Sequence, residues 1–132
     1  LYKGGIIPLK EYAKMPYDRD ILVRLIVKKE KAAFDYQSVR NSQTDFPVLT
    51  CAAAKTEAGY RFSIGARPGK AVLFELADAD IQAADVENMA ENAAKCVKEQ
   101  VETGSNTRGS AEYRKHLAGV LVRRAVCKLA GK

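Results

Sequence analysis

Between residues 20 and 28, Ile21, Val23, Leu25 and Val27 alternate with Leu22, Arg24, Ile26 and Lys28. This is the two-residue period of a half-buried strand, with one cleanly apolar face and a mixed face that carries Leu22. A second alternating run over 33–40 sets Phe34, Tyr36 and Ser38 against Asp35, Gln37 and Val39. Residues 29–32 would join the two runs as a hairpin. Residues 47–56 read as a third strand. Ala52, Ala53 and Ala54 would suit a helix on propensity alone, but Val48, Leu49 and Thr50 precede them and the turn signal Glu57, Ala58, Gly59 follows. Such small side chains would let a helical layer pack close to the sheet. Residues 60–66 give a fourth strand, with Tyr60, Phe62 and Ile64 on one face, ended by Arg67, Pro68 and Gly69.

From there the period changes. Residues 71–76 fit a short strand or a helical turn, and the reading adopted is the turn. Over 83–101, Val86, Met89, Ala93, Cys96 and Val97 mark an amphipathic helix, with Asp85 and Glu87 at its start and Lys95 and Lys98 late, as the helix dipole favours. Residues 104–109 are small and polar and read as an exposed connection. Ser110 then stands where an N-cap belongs, with Glu112 in the first turn. Tyr113, Leu117, Val120 and Leu121, widened by Val122, Val126 and Leu129, form the apolar stripe of the last helix. Arg114, Lys115, Arg123, Arg124 and Lys128 are left for its wet side, and Gly131 is its expected stop. Strands first and helices after predict an α+β two-layer sandwich: an antiparallel sheet of three to four strands, then a layer of about three helices. The expected division is a single domain over 1–132, with a lead-in at 1–19, the sheet within 20–67 and the helical layer within 70–132.

The chain has 132 residues, of which 47% are hydrophobic, enough for one compact core. It opens on Leu1, and its first residues resemble mid-chain sequence, so it is expected to be the end of a larger polypeptide. No apolar run is long enough to span a bilayer, and a soluble, cytoplasmic setting without membrane contact is the expectation. Cys51, Cys96 and Cys127 are odd in number and widely separated, which suits buried thiols rather than disulfides or a metal site. His116, the only histidine, reads as a solvated helix residue. The net charge of +6 raises nucleic-acid binding as a possibility. The cations lack interleaved aromatic residues, however, and that favours a solvated face or one docked on an acidic partner.

Arg108, Gly109, Ser110, Ala111, Glu112, Tyr113, Arg114 and Lys115, followed by Leu117, Val120, Leu121 and Arg124, resemble the closing motif of the C-terminal domain of the FAD-binding (medium) subunit of molybdenum hydroxylases. This is the xanthine dehydrogenase and carbon monoxide dehydrogenase flavoprotein family. Asn106 stands where that family usually carries Asp. The likeness extends from about Leu9 to the end: residues 20–27 resemble the family's Glu-Ile-Leu strand, and 36–45 its segment running from an aromatic residue through Lys and Arg to Asp.

The resemblance implies a domain that helps close a flavin site, with two cofactor-contacting positions matched here by Leu22 and Gln37. Both lie opposite the cleanest apolar series of their strands, and Gln37 stands where the family has Lys. The implied cofactors are FAD, held mainly by an upstream domain, together with molybdopterin and iron–sulfur clusters in other subunits or domains. The implied partners are the upstream FAD-binding domain and the iron–sulfur and molybdopterin subunits, with no nucleic acid. No catalytic or metal-ligating residue falls in this chain. The whole protein would be a molybdenum- and FAD-dependent oxidoreductase that passes electrons to the flavin, and the isolated domain would be inactive. The rival reading is a cofactor-free interaction module using its basic C-terminal helix, followed by a nucleic-acid-binding domain.

Overall fold

The computed structural model describes residues 1–17, 19–29 and 31–131. It divides into two compact units, Leu1–Lys31 and Ala32–Lys132.

In the first unit a single helical turn, α1 (Leu9–Tyr12), follows Pro8. The Asp20 carboxylate accepts from the backbone N–H groups of Lys3, Gly4 and Ile21 at 2.8–3.1 Å. These bonds, that from Lys3 foremost, hold its carboxyl below the usual range. The expected strand over 20–28 does not form. The Tyr2 N–H donates to the Ile21 carbonyl, but residues 21–29 are exposed and carry no ladder among the described residues. Alternation specifies that a segment can be a strand; only a neighbouring strand satisfies its backbone and makes it one. The expected hairpin connection includes Glu30, which lies outside the described residues.

The second unit is α+β. Strands β1 (Ala33–Val39), β2 (Leu49–Thr56), β3 (Gly59–Gly65) and β4 (Val72–Leu76) form one antiparallel sheet in the order β1-β2-β3-β4. After a 3₁₀ turn at Asp78–Asp80 come α2 (Val86–Gln100) and α3 (Ala111–Leu129). Residues 71–76, expected to be helical, supply the β4 edge strand. Phe74 pairs with Phe62 and Leu76 with Tyr60, so Val72, Phe74 and Leu76 turn inward where a helical turn would have left Phe74 without a neighbour.

Leu49, Cys51 and Ala53 of β2 and Tyr60, Phe62 and Ile64 of β3 are buried under the helices. Ala90, Ala93, Ala94 and Val97 of α2 close the same core with Leu117, Leu121, Val122, Ala125 and Val126 of α3. Each fully buried side chain of the Leu or Phe class contributes about 1.5–3 kcal/mol. The expected cap forms at Ser110, which accepts from the Tyr113 N–H, whereas α2, expected from residue 83, starts only at Val86 because Asp85 caps it by accepting from the Asn88 N–H. Gly131 takes φ +85° just beyond α3, a left-handed conformation that glycine adopts without Cβ strain.

Candidate functional site

The terminal motif folds into a clamp around Arg114. A tight turn pairs Asn106 with Gly109 through reciprocal backbone hydrogen bonds, and α3 begins directly after it. Arg114 lies one turn into α3, three, four and seven residues before Leu117, Ala118 and Leu121. It shares their buried phase and is fully buried, not solvated as its charge alone suggested. Its Nε donates to the Val48 carbonyl at 2.9 Å, Nη1 to the Gly104 and Gly109 carbonyls at 2.7 and 2.5 Å, and Nη2 to Asn106 Oδ1 at 2.5 Å. All four acceptors are neutral. Burial and the nearby Arg108 charge both pull its pKa down, yet a guanidinium keeps its proton in water at any ordinary pH. Hydrogen-bond satisfaction, rather than ion pairing, is what allows this charge to be buried.

A second arginine ties the turn to the loop before β2. Arg108 donates through Nε and Nη2 to Asp45 Oδ1 at 3.0 and 2.9 Å, and its guanidinium lies 5.3 Å from the Phe46 ring centroid. The Arg108 bond, followed by that from the Phe46 N–H, holds the Asp45 carboxyl below its usual range. Gly109 permits the close approach, since a Cβ there would stand 3.2 Å from Val48 Cγ1 and 3.4 Å from Tyr113 Cδ1. The motif residues are thus joined across the loops 40–48 and 104–110, and these contacts hold the fold together.

Gln37 belongs to a separate polar cluster at the β1 edge. The pairs Asp35–Ala53, Gln37–Cys51 and Val39–Leu49 place Asp35, Gln37 and Val39 on the helix-covered face. Phe34 and Tyr36, the more apolar series, are left 69% and 63% exposed on the open face. Gln37 therefore lies on the covered side, the reverse of what hydrophobicity suggested. Its Nε2 donates to Asp35 Oδ2 at 2.6 Å and to the Leu121 carbonyl at 3.4 Å. Asp35, a buried carboxylate, also accepts from Lys128 Nζ at 2.5 Å. Burial pushes its carboxyl up, but the hydrogen bonds from Lys128 and Gln37 and the Lys128 charge outweigh that, and the group stays below its usual range. Beneath it, burial and then the Asp35 charge push the Cys51 thiol up to about 12, so thiolate chemistry there is shut off at neutral pH.

Leu22, the other expected contact, lies in the first unit and is 53% exposed. The sequence reading missed the roles of Arg114, Asp35 and Lys128. For Arg114 the helical phase carried the signal. For Asp35 and Lys128, 93 residues apart, no local pattern did.

The family profile of the CO dehydrogenase flavoprotein C-terminal domain matches residues 34–129. The chain belongs to this family. The match takes in the clamp and the Gln37 cluster and leaves Leu22 outside. Among solved structures, carbon monoxide dehydrogenase from Hydrogenophaga pseudoflava is similar at TM-score 0.65 and 21% identity, over 78% of this chain and 38% of that one. Quinoline 2-oxidoreductase from Pseudomonas putida 86 is similar at TM-score 0.66 and 21% identity, over 76% and 38%. The cyanide-inactivated form of a Cu,Mo-CO dehydrogenase gives 0.60 and 20%, over 78% and 38%. At these identities the likeness is one of fold. The flavoprotein C-terminal domain seen here spans well under half the length of the solved chains it resembles. No curated protein matches it.

Among the described residues no cluster of His, Cys, Asp and Glu could hold a metal ion, and no helix is long and apolar enough to cross a membrane.

Proposed function

We propose that this domain serves the FAD-carrying subunit of a molybdenum-dependent, xanthine dehydrogenase-like oxidoreductase of the cytoplasm, where it helps close the flavin site. The observation that carries this reading is the family match over 34–129, which takes in the sheet from Phe34 onward and both long helices. In this reading FAD, when bound, supplies the redox chemistry, and molybdopterin and iron–sulfur clusters reside in other subunits or domains. The isolated domain is catalytically inactive.

Leu22 and Gln37 are the residues of this chain proposed to meet the flavin. Leu22 offers exposed apolar surface suited to an isoalloxazine ring. Both hydrogens of the Gln37 amide are directed at Asp35 and Leu121, so its Oε1 is the atom left to meet a ligand, as an acceptor. The chain carries no glycine-rich phosphate cradle, and the pyrophosphate would therefore be held by the upstream domain. Support for such a neighbour comes from Ile21, Val23, Leu25, Ile26 and Val27, which are 56–87% exposed. Apolar groups in that density mark surface made to be covered.

The test is reconstitution of the full-length subunit with FAD. The expected product is yellow, and Leu22→Ala and Gln37→Ala each weaken flavin binding. A full-length subunit that stays colourless refutes the function, whereas flavin affinity unchanged in both variants refutes only the residue assignment.

A further inference from the structure

The outer face of the helical layer carries a feature that the flavin reading does not use. Where α2 and α3 run side by side, a groove of about 510 Å³ opens to solvent. The two helices meet at small residues along its base. Ala94 and Gly119 are buried, and the stem of Lys98 lies against Gly119: a Cβ there would stand 3.6 Å from Lys98 Cδ and 3.9 Å from the Ala94 carbonyl oxygen. Three cations, Lys95, Lys98 and Arg123, and one carboxylate, Glu91, line its walls. Lys95 and Lys98, three residues apart on α2, rise on one side, with His116 and Arg123 of α3 opposite.

The charges are unequally balanced. Arg123 Nε holds Glu91 Oε1 at 2.8 Å, with both side chains more than half exposed. Neither Lys95 nor Lys98 has a carboxylate partner among the described residues. Two unpaired ammonium groups and an exchangeable guanidinium thus border the apolar surface of Val120 and the Lys98 stem. That combination matches a peptide with carboxylates on its flanks and an aliphatic side chain between them. It matches a nucleic acid poorly, because no Tyr or Phe lines the groove for base stacking.

We propose that this groove docks an acidic segment of a partner protein. Carboxylates of that segment engage Lys95, Lys98 and Arg123, and an aliphatic side chain packs on half-buried Val120 and the stem of Lys98. The site requires neither flavin nor the upstream domain, so it stands or falls separately from the cofactor assignment.

The test is fluorescence anisotropy on the full chain with three labelled probes: a short peptide alternating Glu and Leu, its counterpart with Gln for Glu, and a mixed-sequence single-stranded DNA. The Glu peptide should bind, weaken as salt rises, and bind more tightly than either other probe. The double variant Lys95→Ala/Lys98→Ala, both residues exposed and outside the core, should lose about fivefold in affinity, as expected for exposed ion pairs of modest individual worth. Its unchanged circular dichroism would show that the fold is intact. Equal binding by wild type and double variant overturns the proposal, and so does absence of binding by the Glu peptide. Tighter binding of the DNA overturns it in favour of a nucleic-acid surface.

Discussion

Replacing Asn106 by Asp tests the account of the Arg114 clamp through a single functional group. Asn106 Oδ1 accepts from Arg114 Nη2 at 2.5 Å and from the Arg108 backbone N–H at 2.9 Å. The Asn106 amide nitrogen donates no hydrogen bond among the described residues. Asn106→Asp therefore keeps both accepted bonds and adds a negative charge against a guanidinium whose other acceptors are all neutral. Fully exposed ion pairs contribute about 0.2–1 kcal/mol. This pair has one buried member, Arg114, and one exposed member, so the new carboxylate avoids most of the desolvation cost that burdens fully buried pairs.

The expected gain is about 1 kcal/mol, or roughly 3–5 °C in Tm for a domain of this size. Pairing depresses the folded pKa of the new Asp below its unfolded value of about 3.9. The gain is therefore complete above that value and is lost as pH falls through the folded pKa. Thermal melts of parent and variant at neutral pH and at about pH 2.5 separate the outcomes, since the carboxylate is largely protonated at the lower value. An unchanged or lowered Tm at neutral pH would refute the view that Arg114 can use a counter-charge. A gain that survived acidification would refute its electrostatic origin.

Two other perturbations have opposite expected signs. Asp35→Asn removes the partner of Lys128 from a buried site and should destabilise by about 1–3 kcal/mol at neutral pH. Because the Asp35 carboxyl is held below its usual range, its contribution is complete above about pH 4 and lost as pH falls through the folded pKa. The variant should consequently show a shallower acid limb in urea titrations, and an acid limb identical to the parent's would refute the assignment. Gly119→Ala should raise stability by about 0.5–1 kcal/mol, the helix-propensity difference, because the added Cβ meets nothing nearer than Lys98 Cδ at 3.6 Å. A lower Tm would mean that α2 and α3 cannot tolerate a methyl group at their crossing.

The parts legible in the sequence are those governed by near neighbours. Ser110 announced the last helix because an N-cap hydroxyl reaches an amide only three residues on, and the spacing of Val86, Met89, Ala93 and Val97 announced the helix before it. Glu57, Ala58 and Gly59 announced the β2–β3 hairpin, and Tyr60, Phe62 and Ile64 its buried face, because turn chemistry and side-chain alternation act within a few residues. The motif over 105–124 marked the family correctly, although its chemistry is that of a clamp. Arg114 could have been placed as well, since its helical phase with Leu117, Ala118 and Leu121 outweighs the rule that charged residues face water.

Other features depended on partners far along the chain. Both faces of β1 alternate equally well, and the apolar one, with Phe34 and Tyr36, is the one left open. Register with β2 and the reach of Lys128 to Asp35 chose the other face, and neither has a local signature. Residues 71–76 became a strand because the β3 edge offered them a ladder, which propensity could not weigh. Residues 20–28 have strand alternation and no strand, because backbone hydrogen bonds need a neighbour that no local pattern supplies. The sequence by itself determined the start of the last helix, the central hairpin and the α+β class, through interactions spanning one turn of chain. Tertiary structure decided which faces of the edge strands are covered and how a buried arginine is satisfied, because those depend on long-range pairing.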